Sequence, residues 1–236
     1  HSRPYRETSL LVEYFSREQG RVSLVAKGAK GRKTRGGNAA ALLQPFTPLA
    51  CSWSGSSELK TLTGCEAEGP AVRLLGTRLY SGLYINELLV RLLHHEDPHE
   101  TLFDEYCRVL SALTGEEEEE LVLRRFEFAL LDELGYGFDP GLDGMSGEPV
   151  VGDSWYHYHQ EYGMVLAQVS SRETTEPGSG SNERIPRYHG AELQLLEQGD
   201  LSGAGRRCAK RLMRQVLGSH LGDKPLKSRE LFRTLS

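Results

Sequence analysis

The feature that most constrains the fold of this chain is a change in the spacing of its apolar residues near residue 70. Before that point, apolar and polar residues alternate in short stretches, as in residues 21–28, where Val22, Leu24 and Ala26 share one side. From Ala71 onward, leucines recur every three to four residues. A period of two is typical of a half-buried strand and a period near 3.6 of an amphipathic helix. The chain is therefore predicted to be an α+β, multidomain protein.

Two hairpins and one further strand are predicted before residue 68. Residues 8–16 and 21–28 are joined by a polar turn, and residues 46–54 and 58–65 are parted by Ser-Gly-Ser-Ser. The opening HSRPY is expected to end a strand that starts before His1. Five short antiparallel strands favour a small closed β-barrel, because closure removes exposed strand edges.

Helices are predicted over most of the remaining chain. Asp97-Pro98 ends the first helix, and the glutamate run 116–120 is expected to start the third, since acidic residues favour the positive end of a helix dipole. The predicted helices cover residues 74–93, 102–115, 116–135, 191–198, 203–221 and 228–235.

Residues 136–190 lose the helical spacing and are predicted to be a small, irregular insertion with a β-hairpin from Trp155 to Val169. The predicted domains are 1–68, with its first strand truncated, and 69–236, which contains this insertion.

Two basic clusters are candidate phosphate-binding surfaces. The strand at 21–28 runs into a loop with four glycines, five basic residues and no acid, and a later helix carries basic residues at spacings of three and four, which places them on one face. A solvated surface is the alternative for both. The loop residues are Lys27, Lys30, Arg32, Lys33 and Arg35, and the helix residues are Arg206, Arg207, Lys210, Arg211 and Arg214.

The net charge of −5 argues against a polyanionic partner, but the charge is unevenly distributed. Residues 1–67 carry +5 and residues 200–236 carry +6, whereas residues 68–199 carry −16. We predict a cationic surface that folding assembles from both basic segments, with an acidic surface elsewhere.

Motifs for catalysis or metal binding are not found. GAKGRKT lacks glycine at positions 27 and 32, so it is not a P-loop. The four cysteines stand far apart and are expected to be reduced thiols, and His157 and His159 have no cysteines nearby for a zinc site. No apolar run approaches the ~20 residues that span a bilayer. We expect a binding protein, without enzymatic activity or cofactor.

Six segments carry a resemblance that covers nearly the whole chain. It resembles the bacterial recombination mediator family RecO, of the gammaproteobacterial kind. The segments are HSRPYRETSLLVEYFSREQGRVSLVAKGAKG, QPFTPL, LYSGLYINELLVRLL, LRRFEFALLDELGYG, SGEPV and PLKSRELFR.

The resemblance implies an N-terminal oligonucleotide-binding (OB) barrel, then a helical domain with a zinc-finger-like insertion. Family members bind single- and double-stranded DNA, anneal complementary strands, and act with RecR to load RecA on DNA coated by the single-strand binding protein, SSB. They act in the bacterial cytoplasm, at the nucleoid. No cysteine lies between Cys107 and Cys208, so the insertion here is expected to be degenerate, without zinc.

Two sets of site residues follow from the resemblance. The DNA-contacting set is the ten basic residues above together with Arg21, and aromatic residues near the barrel are expected to stack on bases or to fill the core. These aromatic residues are Tyr5, Tyr14, Phe15, Phe46 and Trp53. The acidic SSB tail is expected to bind where cations flank an apolar groove. This second set is Arg124, Arg125, Phe126, Leu130, Lys227 and Arg229.

Two alternatives remain open at this point. One is a passive, sequence-independent nucleic-acid binding module, which annealing of SSB-coated strands would distinguish from a mediator. The other is a protein-interaction scaffold, in which the basic loop only maintains solubility. Loss of DNA binding after the loop is neutralised would rule against the scaffold.

Overall fold

The structure, a computed structural model, describes residues 1–30, 33–34, 37–167 and 185–233. The chain forms two units, the first from residues 1–133 and the C-terminal residues from Asp223 onward, the second from residues 134–222. The predicted boundary after residue 68 stays a prediction.

The strands of the first unit build one main sheet and a small ribbon. They are β1 (Ser2–Tyr5), β2 (Ser9–Ser16), β3 (Gly20–Ala26), β4 (Lys33–Thr34), β5 (Gly37–Asn38), β6 (Leu49–Ser54) and β7 (Leu59–Ala67), with a one-turn helix α1 (Ala39–Leu42) after β5. The main sheet has the order β1-β2-β3-β7-β6, and β4 pairs with β5. Both predicted hairpins are confirmed, as β2–β3 and β6–β7.

The prediction that all five strands are antiparallel is wrong for one pair. The second hairpin joins the sheet through β7, which runs parallel to β3 with Leu24 opposite Lys60. Among the described residues, β1 and β6 are the two edges of this sheet and do not pair with each other. The described sheet is therefore open, and the predicted barrel closure is not observed.

Strand β3 is buried on both faces, which differs from the predicted half-buried strand. Val22, Leu24 and Ala26 lie in the apolar cluster of the sheet as expected. Ser23 and Val25 on the opposite face are also buried. The segment after the second helix covers that face, and its His95 lies with Nε2 3.0 Å from Ser23 Oγ.

Helices and three more strands complete the two units. The helices are α2 (Thr77–Leu92), α3 (Glu100–Ala112), α4 (Glu119–Glu133), α5 (Gly190–Glu197), α6 (Gly203–Leu221) and α7 (Lys227–Arg233), and the strands are β8 (Trp155–His159), β9 (Gly163–Leu166) and β10 (Arg187–His189). All six predicted helices are present. The glutamate run starts α4 as predicted, because Glu119 and Glu120 lie in its first turn. None of the described helices is long and apolar enough to cross a membrane.

The second unit contains the predicted insertion. Strands β8 and β9 form the predicted hairpin, and β10, which was not predicted, joins β8 to give the order β10-β8-β9. Its core includes the fully buried Tyr188, Met164, Leu193 and Leu212. Packing of α5 and α6 with this sheet thus gives the insertion an apolar core.

Asp143 organises the turn before the hairpin. Its carboxylate accepts hydrogen bonds from the backbone N–H groups of Met145, Ser146 and Leu166. Burial alone would raise the pKa of Asp143, but these hydrogen bonds outweigh burial and lower it. One carboxylate therefore connects the turn to β9.

Replacement of Gly20 is predicted to destabilise the first unit. Gly20 has φ of +63°, and a Cβ built there would lie 1.8 Å from the Asp97 carbonyl oxygen. We expect Gly20→Ala to lower the free energy of unfolding by about 3 kcal/mol, through both backbone strain and this clash. Gly28→Ala is the matched control, because Gly28 has φ of +70° with nothing within 4 Å. Its expected loss is about 1 kcal/mol. Equal losses in urea denaturation would contradict the close approach.

Candidate nucleic-acid interface

The basic residues of α6 form a solvent-facing row in the second unit. The helix buries Cys208, Ala209, Leu212, Met213 and Val216 among others on its opposite side. The helix contains no Asp or Glu. Arg207, Lys210, Arg211 and Arg214 are exposed, and Arg206 is half-buried. We call these five residues the α6 basic row. The prediction that these basic residues lie on one face of the helix is therefore confirmed.

Arg211 is the member of the row with the most defined position. Its guanidinium lies 4.6 Å from the ring centroid of Tyr188 and donates to the Arg187 carbonyl and to Glu192 Oε2, each at 3.2 Å. The side chain remains about half exposed. These contacts already restrict the Arg211 side chain. It therefore loses less conformational entropy when it binds a phosphate.

The basic loop belongs to the first unit, and the structure describes part of it. Lys27 and Lys30 are exposed, and Lys30 Nζ donates to the Arg6 carbonyl at 3.0 Å. Lys33 lies in β4, whereas Arg32 and Arg35 lie outside the described residues. A joint surface with the α6 basic row stays a prediction.

Arg21 lies within the first unit, where protein groups already satisfy its charge. Its Nε donates to Glu13 Oε2 at 3.0 Å, and one terminal nitrogen donates to the Leu93 carbonyl at 3.1 Å. Only 17% of its side chain is exposed. Arg21 therefore connects β3 with β2 and with the end of α2, and its predicted DNA contact is untested.

The aromatic residues near the sheet are mostly engaged in packing. The Tyr14 and Trp53 rings meet edge to face at 6.0 Å, and Phe15 packs against Phe103 and Tyr106. The Tyr14 hydroxyl donates to the Leu49 carbonyl at 2.6 Å, and burial raises the pKa of Tyr14 to about 12. Tyr5 and Phe46 are half-buried.

The predicted SSB-tail residues fall into a buried and an exposed group. Phe126 and Leu130 are fully buried, and Arg124 is 9% exposed. Arg125 is exposed and pairs with Glu117 at 2.8 Å. A peptide that docks without rearrangement therefore has access to Arg125 but not to the two apolar residues.

Lys227 and Arg229 are exposed at the start of α7. The Glu87 carboxylate of α2 accepts hydrogen bonds from the backbone N–H groups of Lys227 and Ser228 at 2.9 and 2.8 Å. This carboxylate caps α7, because first-turn N–H groups have no partner within a helix. The two cations are thus held beside α2 in the first unit.

Arg124 is part of a buried polar cluster that sequence analysis missed. An ion pair of 2.7 Å joins Arg124 to Glu127, and the Tyr84 hydroxyl donates to Glu127 at 2.6 Å. Burial raises the pKa of Glu127 to about 7, although Arg124 and Tyr84 favour its charged form. The i,i+3 spacing of Arg124 and Glu127 was the only signal in the sequence, and it does not indicate burial.

The described residues contain no group of three or more His, Cys, Asp or Glu side chains that is arranged to hold a metal ion. His157 and His159 lie on β8, and His159 is exposed.

Comparison with known proteins places the chain in a family. Residues 1–71 match the family model "Recombination protein O N terminal" and residues 74–230 match "Recombination protein O C terminal". The chain is 45% identical over 235 residues to the DNA repair protein RecO of Proteus mirabilis, covering 99% of this chain and 89% of the relative. It is 46% identical over 236 residues to DNA repair protein RecO of Nitrosococcus oceani, covering 100% and 90%. Identity to the Haemophilus influenzae protein of the same name is 44% over 233 residues, covering 98% and 92%. The chain therefore belongs to the RecO family of DNA repair and recombination proteins.

Glu127 is predicted to make the first unit less stable as the pH rises. Its folded pKa lies above the ordinary value of 4.5, so its contribution to stability is fully present below about pH 4.5 and is lost as the pH rises through about 7. The shift corresponds to about 3 kcal/mol. We expect urea denaturation between pH 5 and 8.5 to show this loss in the wild type and not in Glu127→Gln. Glu117→Gln removes a more exposed ion-pair partner and should keep the wild-type slope. Identical slopes in all three proteins would contradict the assignment to Glu127.

Proposed function

We propose that this protein is a non-catalytic recombination mediator that binds DNA through phosphate contacts and anneals complementary single strands. With RecR, it helps to load RecA onto SSB-coated DNA in recombinational repair, at the nucleoid in the bacterial cytoplasm. Membership of the RecO family, with matches over residues 1–71 and 74–230, supports the role in DNA repair and recombination.

The α6 basic row is the observation that carries the DNA-binding part of the proposal. Four exposed cations lie on one helix that contains no acidic residue, so attraction to a phosphate backbone is unopposed within that helix. Each neutralised phosphate releases counterions, which makes binding strongly dependent on salt. Lys27 and Lys30 would supply further contacts from the basic loop.

The N-terminal sheet supports an OB-type barrel as the second DNA-binding element. The sheet has five strands, and the second hairpin pairs with β3 through β7. The OB fold is a partly open Greek-key barrel with the same number of strands. In the proposed barrel β1 and β6 approach each other, and Lys27 and Lys30 follow the end of β3.

Phosphate contacts suit annealing better than base contacts. Contacts to the backbone position a strand without reading its sequence. An annealing protein must also leave the Watson–Crick edges free, so that the second strand can pair. The described packing of Tyr14, Phe15 and Trp53 within the first unit supports this mode, because packed rings are less available to stack on bases.

The DNA contacts are tested with double variants of equal charge change. Lys27→Ala with Lys30→Ala alters the loop, Arg207→Ala with Arg214→Ala alters the helix, and Arg73→Ala with Arg108→Ala is the control at exposed sites elsewhere. We measure anisotropy of labelled single-stranded DNA at several salt concentrations. Each contact to single-stranded DNA contributes about 0.7 to the salt slope, so the loop and helix variants should each reduce it by about 1.4. The control should match the wild type.

Annealing of SSB-coated complementary strands distinguishes the mediator from a passive binding module. We expect the loop and helix variants to anneal more slowly in proportion to their lost affinity. DNA binding without any annealing in the wild type would identify a passive module, and absence of DNA binding at low salt would leave the scaffold alternative.

The SSB tail is proposed to bind beside Arg125, Lys227 and Arg229. Opposite charge supports binding of an acidic peptide there, with local rearrangement exposing the apolar side chains.

We expect Lys227→Ala with Arg229→Ala to weaken binding of an SSB C-terminal peptide at least tenfold in calorimetry, without changing the DNA salt slope. The Arg73 and Arg108 control should bind the peptide normally. Unchanged affinity in the Lys227 and Arg229 variant would move the tail to another surface.

A further inference from the structure

Cys51 and Cys65 face each other across the β6–β7 hairpin. They are directly opposed in the antiparallel register, and their Sγ atoms lie 3.4 Å apart. Residues in such positions have Cβ atoms about 4.5–5.5 Å apart, close to the range of about 3.5–4.5 Å found in disulfides. A sulfur–sulfur bond is about 2.05 Å long, so rotation of the side chains and a small approach of the strands would bring the sulfurs within bonding distance.

The neighbouring residues keep the two sulfurs in this position. Cys51 alternates with Leu49 and Trp53 on the half-buried side of β6, and Cys65 packs against the apolar cluster of the sheet. A register shift between Ser52 and Trp53 lies next to the pair, on the side away from Leu49. From Leu49 to Cys51 the pairing of β6 with β7 has no register shift, so Cys65 is the residue opposite Cys51.

Both cysteines are free thiols in the structure. Burial raises the pKa of Cys51 to about 12, and the Cys65 thiol beside it acts in the same direction. The thiolate is the reactive form of cysteine, so Cys51 by itself reacts slowly with oxidants at neutral pH. Both residues are nevertheless half-buried rather than enclosed, which leaves access for a small oxidant.

We propose that Cys51 and Cys65 form an oxidation site, at which hydrogen peroxide converts two opposed thiols into a reversible disulfide between β6 and β7. This inference does not depend on the proposed function. It depends on the register of one hairpin, which the sequence separation of 14 residues does not indicate.

The chemistry proceeds in two steps. One thiol loses its proton, its sulfur attacks a peroxide oxygen, the O–O bond breaks and the leaving hydroxide takes up that proton as water. The sulfur that attacked now carries the oxygen as a sulfenic acid. The second sulfur attacks the first, the S–O bond breaks, and a second water leaves with the thiol proton. Overall, two thiols lose two electrons and the peroxide gains them.

The disulfide would restrain the hairpin. It closes a loop of about 15 residues, which lowers the entropy of the unfolded chain. Strand β6 is an edge of the described sheet and pairs there with β7 alone, so the bond would hold an element that has no second neighbour. A small thiol reductant would reverse it.

The test uses the full chain with Cys107→Ser, which removes the exposed thiol. After treatment with hydrogen peroxide, free thiols are alkylated under denaturing conditions and the protein is digested with trypsin without reduction. Cleavage at Lys60 separates the two cysteines, so the disulfide appears as peptides 36–60 and 61–73 joined, 2 Da lighter than their sum.

We expect the joined peptides to be the main oxidised product, to disappear on reduction, and to be absent after Cys51→Ser. The midpoint of thermal unfolding of the first unit should rise by several degrees on oxidation and return on reduction. Alkylated Cys51 and Cys65 after peroxide treatment, or sulfinic acid at either residue without joined peptides, would overturn the proposal. If Cys51→Ser fails to fold, Cys65→Ser provides the same comparison.

Discussion

The structure of the first unit depends on the ion pair between Arg21 of β3 and Glu13 of β2. A mostly buried guanidinium is costly unless its charge is paired and its N–H groups are bonded. Glu13 provides the charge, and the Leu93 carbonyl at the end of α2 provides a further acceptor. The backbone continues this connection, since Glu96 N–H donates to the Arg21 carbonyl at 2.9 Å. The sheet and the helices consequently meet along β3.

Several weaker contacts extend this junction within the same unit. Lys60 of β7, which is buried, pairs with Glu96 at 2.6 Å. Phe15 of β2 packs against Phe103 and Tyr106 of α3. Exposed ion pairs contribute little by themselves, whereas aromatic packing and buried pairs restrict how two elements can be placed. The N-terminal sheet and α2–α4 therefore belong to one unit, although their apolar periods differ.

Basic residues have different roles according to their counterions. Arg21 and Arg124 pair with carboxylates that are mostly or fully buried and contribute to the interior, whereas Arg207 and Arg214 lie exposed on a helix without acids. This difference separates residues that maintain the fold from residues available to a polyanion. The net charge of the chain therefore does not indicate whether it binds a polyanion, because many acidic residues of the middle segment pair with cations on the same unit.

The sequence by itself determined the local elements of this protein. The periods of its apolar residues predicted both hairpins, six of the seven described helices and the basic face of α6, because these features depend on residues near one another along the chain. Only the tertiary structure decided that β7 runs parallel to β3, that β10 joins the small sheet, that Ser23 and Arg124 are buried, and that Cys51 opposes Cys65. Each of these features depends on contacts between residues that are distant in sequence. The alternation of apolar residues in a strand does not determine which other strand it pairs with.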